Sequence, residues 1–308
     1  MNREEGPRLL TILLLSSLLM GAGGRPVSRV AVAPVDSIAA ALETLADGGT
    51  LELAPGRYRV NLVLKGNVTI QGAGAGRTIL DGGGAGRVLT IEEGAQVILR
   101  GVTVTGGRLD KELERDGGGI WNVGVLTLED SEVTGNVAVD DGGGIRNDGT
   151  LTLLRTKVHG NRATRWGSVG GGIYSPVIFG TPELRVEAST ISDNVAGDNG
   201  GGIWCEGQAS LIDSTVSGNS AAHTGGGIRN NGSLTIANST IAYNRAGTTG
   251  GGLHNLGDAT LSGTTFTGNS AGEGGLDCQG LIISQGRNLL RPEGCDLVEV
   301  KPTAAGRE

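Results

Sequence analysis

From Gly117 onward apolar and polar residues alternate in runs of three to five, and the runs return in the same order after each triple glycine. Those glycine runs start at Gly117, Gly142, Gly170, Gly200, Gly225 and Gly250, which gives spacings of 25, 28, 30, 25 and 25 residues. Insertions of about three residues around 165–169 and about five around 177–182 account for the two longer units and predict protruding loops. The fourth position of each unit reads Ile120, Ile145, Ile173, Ile203, Ile228 and Leu253. A paired column follows as Leu126/Leu128, Leu151/Leu153, Leu184/Val186, Ala209/Leu211, Leu234/Ile236 and Ala259/Leu261, and a third column as Val133, Val158, Ile191, Val216, Ile241 and Phe266. Period-two alternation in short runs broken by glycine turns is a strand signal, and helical spacing is absent.

Each unit is therefore expected to form three short strands making one coil, with equivalent strands of successive coils pairing in parallel at about 4.8 Å. The predicted fold is all-β: a single-stranded right-handed parallel β-helix of about ten coils, on the order of 48 Å long, with an N-terminal capping helix. Regular repeats occupy 116–274. Less regular coils fill 50–115, through Leu51-Glu52-Leu53, Val68-Thr69-Ile70, Val88-Leu89 and Val102-Thr103-Val104. Asp36 or Ser37 is expected to cap a helix over about 36–46, whose face of Ile38, Leu42 and Leu45 covers the open end of the rod. A capping module over 275–300 closes one domain spanning 25–300, followed by a tail at 301–308.

One polar column runs without a gap through Asn136, Asn161, Asn194, Asn219, Asn244 and Asn269. Amides stacked one strand apart can hydrogen-bond from coil to coil, and a corner residue that tolerates left-handed geometry suits such a turn. This column is expected to be a structural ladder. A second column, Asn122, Asn147, Asn230 and Asn255, is broken by Ser175 and Cys205. Gly72-Ala73-Gly74-Ala75-Gly76 precedes a strand-like Arg77-Thr78-Ile79-Leu80 with no Lys-Ser/Thr pair, so it reads as turns and not as a phosphate loop.

Aromatic residues make up only 3% of the chain, so burial must come from repeated small aliphatic contacts, as a solenoid provides. A formal net charge of −7 argues against nucleic acid and anionic membrane surfaces, and leaves sugars, proteins and metal ions as partners. Residues 1–24 read as a secretory signal: Arg3 and Arg8 precede the apolar run Leu9–Met20, which is too short to span a bilayer, and Gly21-Ala22-Gly23 offers a cleavage site. A secreted or extracellular chain with no membrane span in its mature form is expected. Cys278 and Cys295 are expected to form a disulfide closing a C-terminal loop, worth roughly 3 kcal/mol, with Cys205 left as a small half-buried thiol.

The copies of Gly117-Gly118-Gly119-Ile120, together with motifs such as Phe266-Thr267-Gly268-Asn269, resemble the repeats of polymorphic outer membrane proteins, and more widely the pectin-lyase-like superfamily. The run from Asp277-Cys278-Gln279-Gly280 to Gly294-Cys295 resembles the end module of bacterial extracellular β-helix proteins. These resemblances imply the coil and an extracellular setting.

The position after the inward isoleucine supplies the leading binding candidate: Trp121, Arg146, Tyr174, Trp204, Arg229 and His254. Stacked on one face, aromatic faces would contact sugar rings while Arg donates to hydroxyls or carboxylates, which points to a polysaccharide or other surface molecule bound without turnover. Mutual cation–π stacking that merely protects the strands is the competing explanation, and under it the chain is a passive structural rod. A second candidate is acidic: Asp116, Asp140 and Asp141, with Glu112 and Glu114 preceding them, could hold Ca²⁺. Resemblance to pectate lyases implies that such carboxylates, with Arg146 as base, would make a calcium-dependent polysaccharide lyase. No catalytic histidine signature, Gly-x-Ser-x-Gly elbow or His-Glu-x-x-His motif accompanies them, so no cofactor is called for beyond that calcium. Thr190, Thr215, Thr240 and Thr265, with Ser192, Ser217 and Thr267, form an outward hydroxyl column interrupted by Glu132, Lys157 and Ala242, as strand propensity alone would produce.

Overall fold

The computed structural model describes residues 26–109, 115–178 and 180–300. These residues form a parallel β-solenoid of about ten turns, with one short helix among the described residues. The secretory signal expected at 1–24, Glu112, Glu114 and the tail expected at 301–308 lie outside the described residues.

A regular coil contains four strand segments rather than three. In the coil that opens the regular repeats these are Ile120–Asn122, Val125–Glu129, Glu132–Thr134 and Val137–Ala138. Each pairs in parallel with its counterpart one coil on, as in Ile120↔Ile145, Leu126↔Leu151, Val133↔Val158 and Ala138↔Ala163. The third row forms a 9-stranded sheet and the fourth a 6-stranded one. The first two rows merge into a 20-stranded sheet, since Cys278–Gln285 is long enough to pair with both Leu253 and Thr260. The extra row has an alanine column, Ala138, Ala163, Ala196, Ala221 and Ala246, all buried.

The inward columns make one continuous apolar core along the axis, with Ile120, Leu126, Leu128 and Val133 completely buried and the same positions buried in the following coils. Neither insertion disturbs this register, because Leu151 pairs with Leu184 and Ile173 with Ile203 across them. Their residues Trp166, Val177 and Ile178 are exposed. The triple glycines are required by packing. A Cβ on Gly201 would stand 2.4 Å from the Gly226 carbonyl oxygen and 2.5 Å from the Ser220 carbonyl carbon, because backbones of adjacent coils nearly touch there.

Asparagine amides run along the rod. Asn136 Nδ2 donates to Asn161 Oδ1 at 3.0 Å, Asn161 to Asn194 at 3.1 Å, Asn194 to Asn219 and Asn219 to Asn244 at 3.0 Å, and Asn244 to Asn269 at 3.1 Å. Each Oδ1 also accepts the backbone N–H of the preceding coil's asparagine, as Asn161 does from Asn136 at 3.0 Å. The run finishes on Asp277, which accepts from Asn269 at 3.1 Å and is clamped by Arg291. Left-handed backbone geometry falls on the preceding residue, Gly135, Gly160, Asp193, Gly218, Tyr243 and Gly268, so the asparagines serve as hydrogen-bonding groups and not as the left-handed corner residues expected. In the second column Asn122 donates to Asn147 at 2.8 Å and Asn230 to Asn255 at 2.7 Å. Asn122 Oδ1 meets no donor, because its neighbour toward the N-terminus is Ile91.

The helix spans Ile38–Thr44, with Ser37 Oγ accepting from Ala40 N at 3.2 Å. It stops short of Ala46 because Leu45 turns extended and begins the strand Leu45–Leu53, which pairs with Val27–Val32. Ile38 is buried, and Leu42 and Leu45 pack partly against the end of the core. At the other end Cys278 and Cys295 are joined in a disulfide with their Cα atoms 5.3 Å apart, and Cys295–Val300 pairs with Cys278–Gln285.

Candidate functional site

The first row of strands carries the outward stripe. Its members follow one another in register, Trp121↔Arg146↔Tyr174↔Trp204↔Arg229↔His254, and all are half-buried. Alternation sets this up: the residues on either side, Ile120 and Asn122 in the first of these coils, point inward and are buried, so the middle residue must point out.

The stripe divides into two chemically different halves. Toward the N-terminus, Arg87 and Arg146 from the flanking coils lie over the Trp121 ring at 4.9 Å and 5.6 Å, and Arg146 also lies 6.0 Å from the Tyr174 ring. Asp148, whose side chain is fully buried, ties this half together by accepting from Trp121 Nε1 at 2.5 Å and from Arg146 Nε at 2.7 Å. Arg146 is paired with Asp116 as well. Burial opposes the charge on Arg146, but its bonds to Asp148 and Asp116 outweigh that and raise its pKa above the ordinary arginine value. Guanidinium groups thus occupy the Trp121 ring and carboxylates occupy Arg146.

Toward the C-terminus the arginine's hydrogen-bond partners are neutral. Arg229 lies over the Trp204 ring at 5.4 Å, donates from Nε to Asn231 Oδ1 at 3.0 Å, and donates from Nη1 to Thr224 Oγ1. Trp204 Nε1 donates to Glu206 at 3.3 Å. His254 Nδ1 lies 3.0 Å from Thr249 Oγ1, and its pKa is pushed down to about 4, first by burial and then by the Arg229 charge, so the ring is neutral near pH 7.

The acidic residues are engaged in backbone and ion-pair contacts. Asp116 Oδ1 accepts from Asp141 N at 2.9 Å, and Asp141 Oδ1 accepts from Val169 N at 2.8 Å, each carboxylate closing the turn of the following coil. Asp140 points to Arg115 and Arg165. Burial, aided by the charges of Asp116 and Asp140, pushes the Asp141 carboxyl up to about 7. Among the described residues no group of three or more His, Cys, Asp or Glu side chains is arranged to hold a metal ion. Cys205 is buried, and burial pushes its thiol up to about 12, which leaves it protonated and unreactive at neutral pH.

Sequence reasoning missed Arg87 and Asp148. Asp148 carries a detectable signal: the residue two positions after each stripe member partners it in Arg146/Asp148, Trp204/Glu206 and Arg229/Asn231. Arg87 lies in the irregular coils before the repeat, where no fixed spacing marks it.

Residues 188–206 match the Chlamydia polymorphic membrane protein repeat. The matched stretch runs from the turn before Thr190–Ser192 through Asn194 and the triple glycine to Ile203-Trp204-Cys205, so it includes one member of the stripe. This match and the solenoid together support a β-helix repeat protein and point to surface association. No curated protein matches the chain. Among the described residues no helix is long and apolar enough to cross a membrane.

Proposed function

We propose that this is a secreted, non-catalytic β-helix protein that binds a polysaccharide or another surface molecule through the outward stripe from Trp121 to His254. The observation that carries the reading is the unbroken register of three aromatic rings, two guanidinium groups and an imidazole along one half-exposed row. Rings and guanidinium donors in a row suit an elongated ligand, because apolar contact and directional hydrogen bonds repeat with the coil spacing of about 4.8 Å. Around Trp121 the ligand meets ring edges and guanidinium N–H groups, since Arg87 and Arg146 lie over that ring. The pectin-lyase-like superfamily and the C-terminal extracellular end module belong to the same proposal, as does the division into one domain at 25–300.

A calcium-dependent lyase fits less well. Its base would be Arg146, and a guanidinium held by Asp148 and Asp116 is a poor proton acceptor. Its calcium ligands would be Asp116, Asp140 and Asp141, whose carboxylates accept backbone N–H groups or face arginines. The passive rod has one observation in its favour, the closed Arg87–Trp121–Arg146 stack, which braces neighbouring coils by itself.

The test is retention on immobilised acidic and neutral polysaccharides. Replacing Trp121, Tyr174 and Trp204 with Ala should abolish retention; unchanged retention removes the stripe as the site. In parallel, a rise in unsaturated-uronate absorbance that needs Ca²⁺ and disappears in an Asp116/Asp141 double mutant would replace the binding reading with the lyase.

A further inference from the structure

The geometry points to an oxyanion site at Arg229, where the stripe takes a sulfate or carboxylate group carried on a sugar. This rests on the reading of the stripe as a glycan-binding surface and narrows it to one coil and one ligand charge.

Arg229 differs from the comparable arginines of the rod. Arg100, Arg115 and Arg146 are also half-buried, and each meets a carboxylate: Glu129 at 2.6 Å, Asp140 at 3.6 Å, and both Asp116 and Asp148. Arg229 has no ion pair among the described residues, and its hydrogen-bond partners, Asn231 and Thr224, are uncharged. Thr224 is itself fixed, donating to Asn199 Oδ1 at 2.5 Å. The next coil adds a neutral imidazole at His254, and the previous one the Trp204 ring. A cation moved partly out of water without a carboxylate in contact is costly, and at this one place on the stripe only a ring and neutral hydrogen-bond partners touch it. Consistent with this, burial holds the Arg229 pKa below the ordinary arginine value, opposed only in part by the charge of Asp198.

The guanidinium is also oriented. It lies over Trp204 while Asn231 and Thr224 hold Nε and Nη1, and the remaining N–H groups form a planar donor edge. Trp204 offers apolar contact to the sugar bearing the anion. The net charge of −7 works against a polyanion, but screening at physiological ionic strength confines that repulsion to charges within about 8 Å of the bound group.

Three polymers with one backbone test the inference: dextran, carboxymethyl-dextran and dextran sulfate, titrated against the folded chain in about 0.15 M salt, the physiological ionic strength. At least one charged polymer should bind about tenfold or more tightly than dextran, and the two charged forms separate a carboxylate from a sulfate preference. Arg229→Gln should erase that margin, Arg229→Lys should keep part of it, and Arg245→Gln, an exposed arginine in the fourth row of strands, should keep all of it. Retention of the margin in Arg229→Gln overturns the site, and so does the absence of binding to both charged polymers. Binding that ignores charge but disappears in Trp204→Ala overturns the site and leaves the stripe reading standing. Charge-selective binding that depends on Arg229 and survives Trp204→Ala keeps the site and removes the ring contacts.

Discussion

Asp141 shows how a single carboxyl can be shaped by its place on a rod. Its side chain is needed to cap Val169 N in the next coil, yet burial and the neighbouring Asp116 and Asp140 charges favour the neutral acid, with a pKa of about 7 against 3.8 for an ordinary aspartate. The folded state therefore holds a proton that the unfolded chain releases. The resulting stabilisation is complete below about pH 4, declines as pH rises, and is gone above about pH 7. Asp141→Asn keeps the acceptor for Val169 and removes the titration. Thermal unfolding of this variant should match the native chain near pH 4 and lie above it at pH 8, flattening the native decline between those values. A native chain with no decline over that interval would show that Asp141 is ionised throughout. At Arg229 the imbalance has the opposite sign, a cation without its carboxylate, and there an external anion is the expected remedy.

At the scale of the strand and turn, what could be read in advance was whatever repeats. The inward columns were visible because period-two alternation returns at each glycine run, and the stripe because it sits between two inward residues. The fourth row was not visible, since a strand of only two residues such as Val137–Ala138 has no period to detect. Nor was the helix end, because Leu45 fits the helical face and is drawn out of it by pairing with Val27, a residue far outside the local pattern. Contacts between coils were the least legible. Asp148 lies 27 residues from Trp121 and Arg87 lies 29 from Asp116, separations that acquire meaning only once the coil length is known. The same close approach of coils gives the glycines their strictness. Gly201→Ala should cost about 1–3 kcal/mol through overpacking, because the new methyl meets backbone of the next coil and no flexible side chain can yield. Urea denaturation checks this, and a midpoint equal to the native one would mean that the coils separate there easily.

For the molecule as a whole, each coil contacts only its neighbours, so damage should stay where it is made. The C-terminal end is held by three connected devices: the last asparagine, Asn269, bonded to Asp277; the clamp of Arg291 on Asp277; and the Cys278–Cys295 disulfide. The disulfide closes a loop of sequence separation 17, worth about 3 kcal/mol in the loop-entropy account. In a compact single-core protein that loss would lower the stability of every element together. Here the double variant Cys278→Ala/Cys295→Ala should raise amide hydrogen exchange over 278–300 and in the paired strands Leu253–Asn255 and Asp258–Ser262, while Ile120–Asn122 and Thr150–Leu154 keep native protection. Arg229 lies one coil further in than those paired strands, so charge-selective glycan binding should survive with an affinity within about twofold of native, a difference of under 0.5 kcal/mol. Exchange that rises evenly from end to end would instead show that the rod unfolds as one cooperative unit, and the ligand site would then depend on the C-terminal disulfide as much as on its own coil.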